Sequence, residues 1–139
     1  MAKTRTYVDT NVLIAAFQGD TAANSAVASI LDDPEREFVS SPFLRLETLR
    51  KPRYLQRKNE VDFFEAFFAD ADQVPTSDAQ VARALDLAGT YDISAMDALH
   101  AAAALDAQAD EFVTLEQSTK PLFRITTMRM VSLHQKAGS

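Results

Sequence analysis

The chain has 139 residues, the size of one domain, and is long enough to bury a core without covalent staples. It contains no cysteine, which excludes disulfides and thiolate metal sites, and its 47% hydrophobic and 24% charged residues are ordinary globular values. A net charge of −6 argues against a protein that coats nucleic acid by bulk attraction. It leaves open an enzyme whose metal ions reverse the field of an acidic site, or a chain that pairs with a basic partner.

From the N-terminus, MAKTRTYVDTNVLIAAF carries two basic residues and a short apolar stretch interrupted by Asp9 and Asn11. It lacks the small-residue cleavage site of a signal peptide and the length of a membrane span, so a cytoplasmic location is the expectation. Thr6-Tyr7-Val8 reads as a buried strand ending at Asp9. Asn11 to Phe17 reads as a short helix, after which Gly19-Asp20 breaks and re-caps the chain. Thr21 to Leu31 is helical in composition and stops at Asp32-Asp33-Pro34, and Glu37-Phe38-Val39 is a second strand. Ser41-Pro42 is a helix start, with serine as N-cap and proline at the first helical position. Proline disfavours helix in the residue before it, so this helix should weaken near Lys51-Pro52.

Val61 to Ala71 reads as a helix whose Phe63, Phe64, Phe67 and Phe68 fall in same-face pairs. Core packing is a better account of them than a stacking platform for bases. Gln73-Val74 is a third strand. Ser77 to Ala88 is helical with Gly89 as its C-cap. Ser94 to Ala107 is helical and apolar almost all round, hence buried. Glu111 to Thr114 is a fourth strand and Phe123 to Thr127 a fifth. There is no repeat, low-complexity tract or linker, so residues 1–134 form a single domain and 135–139 a frayed tail. Alternating strands and helices imply βαβ units and a parallel sheet, whose sites form beyond the carboxyl ends of the strands.

Four acids stand out. Asp9 follows the first strand, where it can cap the next helix or serve a site. Glu47, at 100° per residue, projects between Phe43 and Leu44 with Leu46 on the other flank, inside the apolar arc. A surface partner of Arg50 or Lys51 belongs on the polar side instead; an inward carboxylate must be paired, protonated or bound to metal. Asp97, in Ser94-Ala95-Met96-Asp97, fits a capping box, and the start of a buried helix is also a usable site wall. Glu116 lies just beyond the fourth strand and reads equally as a loop acid. Together the four suit Mg²⁺ or Mn²⁺, which take carboxylate oxygens and water. Only His100 and His134 could supply imidazole, which disfavours zinc, and His100 reads as a satisfied core histidine. A basic stripe of Arg45, Arg50, Lys51, Arg53, Arg57 and Lys58 can hold phosphates or can be a solvated helix face.

The order of YVDTNVLIAAF, the glutamate of SPFLRLETLR, ISAMDALHAAAAL and FVTLEQ resembles the PIN-domain family, especially VapC-like toxins of bacterial toxin–antitoxin pairs. The resemblance covers nearly the whole chain. It implies a three-layer α/β/α sandwich with a central parallel sheet of about five strands. It implies an Mg²⁺- or Mn²⁺-dependent endoribonuclease with RNA as substrate and a cognate antitoxin as partner; a homodimer is compatible with it, a membrane partner is not. By position, Asp9, Glu47 and Asp97 match the acidic, catalytic ligands, and Asn11 and Thr114 match polar positions beside the metal or phosphate. Glu116 stands where the family more often has aspartate, and Gln117-Ser118-Thr119 lack the usual following acid and aromatic. Arg50 and its neighbours are candidates for gripping the RNA backbone. Two other readings stand beside this one. A PIN fold without activity could serve as a binding module. Asp9-Thr10-Asn11-Val12 also resembles the opening of haloacid-dehalogenase-like phosphohydrolases, although Asn11 stands where that chemistry wants a second aspartate.

Overall fold

The fold begins with β1 (Thr4–Val8), whose last three residues are buried, as expected of a strand in a parallel sheet covered on both faces. The computed structural model describes residues 2–19 and 24–134. The chain continues through α1 (Thr10–Gln18), α2 (Asn24–Leu31), β2 (Arg36–Ser40), α3 (Pro42–Tyr54), α4 (Lys58–Asp70) and β3 (Asp72–Gln73). Then follow α5 (Asp78–Tyr91), α6 (Ala95–Asp106), β4 (Glu111–Thr114), a 3-10 turn at Pro121–Arg124 and β5 (Arg129–Ser132). The five strands form one sheet in the order β3-β2-β1-β4-β5, with every neighbouring pair parallel.

Right-handed crossovers decide where the helices go. From β1 the chain steps outward to β2 and then β3, so α1 to α4 cover one face. It then returns across the sheet to β4, so α5 and α6 cover the other. The packing agrees: α1 lies on α2 and α4, α3 on α4, and α5 on α6. This is the expected α/β/α sandwich. The strand order reverses between β1 and β4, and in open parallel sheets the crevice beyond that reversal is where sites form. Fully buried Tyr7, Val8, Val39, Phe112 and Val113 fill the sheet, with Val12, Leu13, Leu44 and Phe64 packing from the helices. Phe64 and Phe68 are core, as expected of the aromatic helix, whereas Phe63 is 40% exposed.

Several boundaries differ from the sequence reading. Of the helix expected over Thr21 to Leu31, the part from Asn24 is present; Asp20 to Ala23 and the tail from Gln135 lie outside the described residues. The helix expected to weaken near Lys51-Pro52 runs on to Tyr54. Pro52 falls in the last turn, where its ring is buried and only one backbone donor is forfeited. The N–H groups of Leu55, Gln56 and Arg57 then close the end on Lys51, Arg53 and Pro52 carbonyls at 3.0, 3.1 and 2.9 Å. The third strand is Asp72–Gln73, one residue earlier than expected. The fifth is not Phe123–Thr127: Pro121 starts a 3-10 turn there, and Arg129–Ser132 pairs with β4 instead.

Gly89 is not a C-cap. The helix passes through it to Tyr91, and the left-handed residue is Asp92, at φ 56° and ψ 49°, with its N–H on the Ala88 carbonyl. A Cβ at Gly89 would meet nothing within 4 Å. Gly89→Ala should therefore stabilise the fold by about 0.5–1 kcal/mol, chiefly by restricting the unfolded chain. Urea unfolding should show a later midpoint at unchanged slope; an earlier one would mean that the helix needs glycine there.

Candidate active site

Asp9 stands where β1 ends, and the parallel register brings it beside β4: Val8 pairs with Val113, and the Asp9 N–H donates to the Val113 carbonyl at 2.9 Å. Asp9 is only 7% exposed. Its Oδ1 accepts the Thr10 N–H at 2.9 Å, capping α1, and its Oδ2 accepts the Thr114 hydroxyl at 3.0 Å. Cap and site are thus the same residue. Thr114 is itself held, since its Oγ1 accepts from Asn11 Nδ2 at 3.3 Å and from the Glu116 N–H at 3.1 Å. Asn11 Oδ1 accepts the Leu115 N–H at 3.1 Å, which ties the loop after β4 to α1. Burial pushes the Asp9 carboxyl above its usual range, and the charge of Asp97 adds to the rise. His100, Thr114 and the Thr10 N–H pull it back in part.

Glu47 reaches the same place from α3. Its Oε1 accepts the Thr10 hydroxyl at 2.5 Å and lies 3.1 Å from His100 Nε2. Thr10 in turn accepts from Thr48 at 3.4 Å. The bond with His100 holds the Glu47 carboxyl below its usual range, against the opposing effect of burial. Glu47 therefore does face inward. Its flank is not as the helical wheel implied, however, because Leu46 is 66% exposed. A helix buried along one edge leaves the outer end of an apolar arc in solvent.

His100 is the residue that sequence reading under-assigned. It is a buried and satisfied histidine, as expected, but its ring also belongs to the acidic cluster. Ligating atoms of Asp9, Glu47 and His100 all lie within 4.8 Å of one another. Its Nδ1 shares a 2.7 Å hydrogen bond with the Tyr7 hydroxyl, and that hydroxyl shares another, of 2.8 Å, with Ser41 Oγ. The signal available in the sequence was its spacing, three residues after Asp97 on one face of the same helix.

Asp97 and Glu116 stand outside that trio and together line a cleft of about 250 Å³ with Ser94 and Lys120. The cap of α6 is Ser94, whose Oγ accepts the Asp97 N–H at 3.2 Å. The Asp97 carboxylate makes no hydrogen bond among the described residues, so only half of the expected capping box is present. The Glu116 side chain likewise makes none; its backbone carbonyl accepts the Ser132 hydroxyl at 2.6 Å. The basic stripe is mostly consumed by α4. Arg45 and Arg53 pair with Glu65, Arg57 with Glu60 and Lys58 with Asp62. Among the described residues, Arg50 and Lys51 form no ion pair, and Arg50 is near enough to Glu47 to help lower its carboxyl.

The donor set suits a hard divalent cation. It consists of carboxylate oxygens, two of them at least partly buried, with one imidazole at the margin. A buried Asp9 raised by desolvation is the state that a bound cation relieves.

Carboxylates gathered at the reversal point of a parallel, doubly wound sheet define an α/β/α domain with an acidic site. The PIN domain family model matches residues 6–118, and the chain belongs to that family. Solved structures agree on the fold. VapBC2 from Rickettsia felis, bound to a DNA fragment from its promoter, superposes with TM-score 0.71 at 15% identity over 93% of this chain and 98% of that one. A toxin–antitoxin complex from Klebsiella pneumoniae gives 0.71 at 19% identity, covering 94% and 99%. VapC20 of Mycobacterium tuberculosis, a sarcin–ricin loop cleaving toxin, gives 0.66 at 13% identity, covering 89% and 98%. A search of curated proteins found no match. Among the described residues no helix is long and apolar enough to cross a membrane.

The raised Asp9 carboxyl has a thermodynamic consequence. Its ionised form is the costly one, so the penalty is complete above the folded-state pKa and fades as pH falls through that value toward the unfolded one. Asp9→Asn, which keeps the cap, should therefore melt higher than the unaltered protein at pH 7 in chelator. The gain should shrink toward pH 4. Thermal melts at both pH values test this, and equal or lower melting of the variant at pH 7 would contradict it.

Proposed function

We propose that this protein is an Mg²⁺- or Mn²⁺-dependent endoribonuclease that hydrolyses RNA phosphodiesters, and that it is the toxin of a toxin–antitoxin pair. The observation that carries the activity is the buried Asp9 set against Glu47, with the unpaired carboxylates of Asp97 and Glu116 lining the cleft beside it. The toxin role rests on the structural likeness to complexes described as VapBC and toxin–antitoxin assemblies, which also supports a cognate antitoxin and a dimer as partners. The phosphohydrolase alternative has no support from a family match that spans Asp9-Thr10-Asn11-Val12.

Asp9, Glu47, Asp97 and Glu116 would hold the metal, and their oxygens are the ligands it prefers. A divalent ion held there would polarise the scissile phosphate and lower the pKa of a bound water. The protein's own contribution is positional. Asp9 is immobilised by Thr10 and Thr114, and Glu47 by Thr10 and His100, so their remaining lone pairs point in fixed directions. Asn11 and Thr114 act here as supports, since their polar groups are engaged with Asp9 and the β4 loop. Asp97, whose carboxylate makes no hydrogen bond among the described residues and is partly exposed, is placed to orient the attacking water or accept its proton. Arg50, without an ion pair among the described residues and near Glu47, is a cation available to the RNA backbone.

Single-stranded RNA should be cleaved with Mg²⁺ or Mn²⁺ and spared in excess chelator. Asp97→Asn should slow cleavage by roughly 10²-fold or more, the range typical of losing a positioned proton acceptor, while its melting temperature holds or rises. Cleavage that survives chelation would sink the metal mechanism, and unchanged cleavage by the variant would remove Asp97 from the site. Without any cleavage, Mg²⁺ titration by calorimetry distinguishes a PIN fold that serves only as a binding module.

The ion-pair pattern separates the arginines. Arg50→Gln should weaken RNA binding and flatten its salt dependence by about one unit of slope. Arg45→Gln should change the slope little, because its charge is already met by Glu65. Filter binding across a salt series decides; equal slopes for both variants would leave α3 without a special cation.

A further inference from the structure

The chain Ser41–Tyr7–His100–Glu47 has a direction. Glu47 is the acceptor here, since its Oε1 already takes the Thr10 hydroxyl at 2.5 Å. Its Oε1 lies 3.1 Å from His100 Nε2, and an unprotonated Nε2 there would set one lone pair against another. Nε2 must therefore carry a hydrogen and donate. In the neutral ring Nδ1 is then an acceptor, and the group 2.7 Å from it, the Tyr7 hydroxyl, is the donor. The Tyr7 hydroxyl, buried between Ser41 and His100, has a single hydrogen to give. With its own hydrogen committed to Nδ1, the Tyr7 oxygen accepts from Ser41, whose hydroxyl hydrogen is free because Ser41 Oγ already accepts the Leu44 N–H at 3.1 Å. With a neutral ring, this direction gives each hydroxyl from Ser41 to Tyr7, each ring nitrogen of His100 and Glu47 Oε1 a matched partner. Both ends are anchored at helix starts, Ser41 as cap of α3 and Thr10 at the first turn of α1.

We propose that His100 is a positioning residue for Glu47. Tyr7 fixes the ring as the Nε2–H tautomer, and the ring then turns the Glu47 carboxylate so that one oxygen is consumed and the other is offered to the cation. Oε1 receives both Thr10 and His100, while Oε2 has no partner among the described residues. The inference rests on the metal-site reading above. It assigns His100 a role that its burial, at 1% exposure, would otherwise explain as packing. Partners of a ligating carboxylate commonly matter about 10–100-fold to metal affinity.

The test uses the full chain, ¹⁵N-labelled at histidine, with His100→Gln and His100→Leu. Long-range ¹H–¹⁵N correlation spectra read the tautomer, with and without Mg²⁺, and calorimetry reads Mn²⁺ affinity. The expected result is Nε2–H in both spectra, Mn²⁺ affinity about 10–100-fold weaker in His100→Leu, and affinity within about threefold of wild type in His100→Gln, whose amide can donate from a similar place. A hydrogen on Nδ1 would overturn the proposal. So would a folded His100→Leu that binds Mn²⁺ like wild type, or an Nε2 resonance that Mg²⁺ shifts to that of a metal-bound nitrogen. If His100→Leu does not fold, the wild-type tautomer and the His100→Gln affinity decide. If the wild type binds no Mn²⁺, the metal reading fails by itself, and the tautomer still decides what His100 does.

Discussion

A hydrogen bond of 3.0 Å from the Thr114 hydroxyl to Asp9 joins the ends of two neighbouring parallel strands, and the site depends on it. A carboxylate 93% removed from solvent is costly unless it is hydrogen-bonded or paired. Here one donor, the Thr10 N–H, is local to the turn after β1, and the other comes from β4, which could not reach Asp9 from a different strand order. Parallel pairing of Val8 with Val113 sets the register that makes the contact possible. The loop beyond β4 is then pinned by the bonds of Thr114 and Asn11, which carry Glu116 toward the same edge of the sheet.

The second requirement is close approach of α6. Ala98 and Ala101 to Ala104 are all essentially without exposure. Such small side chains let a helix axis lie near the sheet. The result is that His100 meets Tyr7 in β1, with ring centroids 5.8 Å apart, and Asp97 at the start of the helix comes within electrostatic reach of Asp9. Larger residues at those alanines would lift the helix and separate the two halves of the site. Packing and chemistry are therefore specified by the same run of sequence.

Charge is handled locally. A net charge of −6 coexists with this basic stripe because Glu65 of α4 pairs with Arg45 and Arg53 of α3, while Arg57 and Lys58 pair along α4 with Glu60 and Asp62. Exposed pairs of this kind contribute little to stability, on the order of 0–1 kcal/mol each. Their effect here is selective: they neutralise most of the stripe and leave Arg50 and Lys51, one of them beside Glu47, as free cations among the described residues. An acidic protein can then present a small positive feature next to an acidic site without a basic surface.

Much of this was legible beforehand. The βαβ alternation, the buried ends of the strands and the resemblance of four short motifs led to the α/β/α sandwich; of the four acids nominated, the fold gathers Asp9 and Glu47 into one cluster and sets Asp97 and Glu116 along the adjoining cleft. These signals are local, because periodicity and capping act over a few residues. The misses were of two kinds. The C-cap placed at Gly89 followed intrinsic preference in the reading, but in the fold the helix runs past it to Tyr91. The fifth strand was expected at Phe123–Thr127, whereas Arg129–Ser132 is the segment that pairs with β4. The contact of His100 with Glu47 and the ion-pair state of Arg50 were beyond any local signal. Whether a histidine touches an acid 53 positions away, or an arginine is already neutralised by another helix, is decided by distances across the fold, which composition and spacing do not encode.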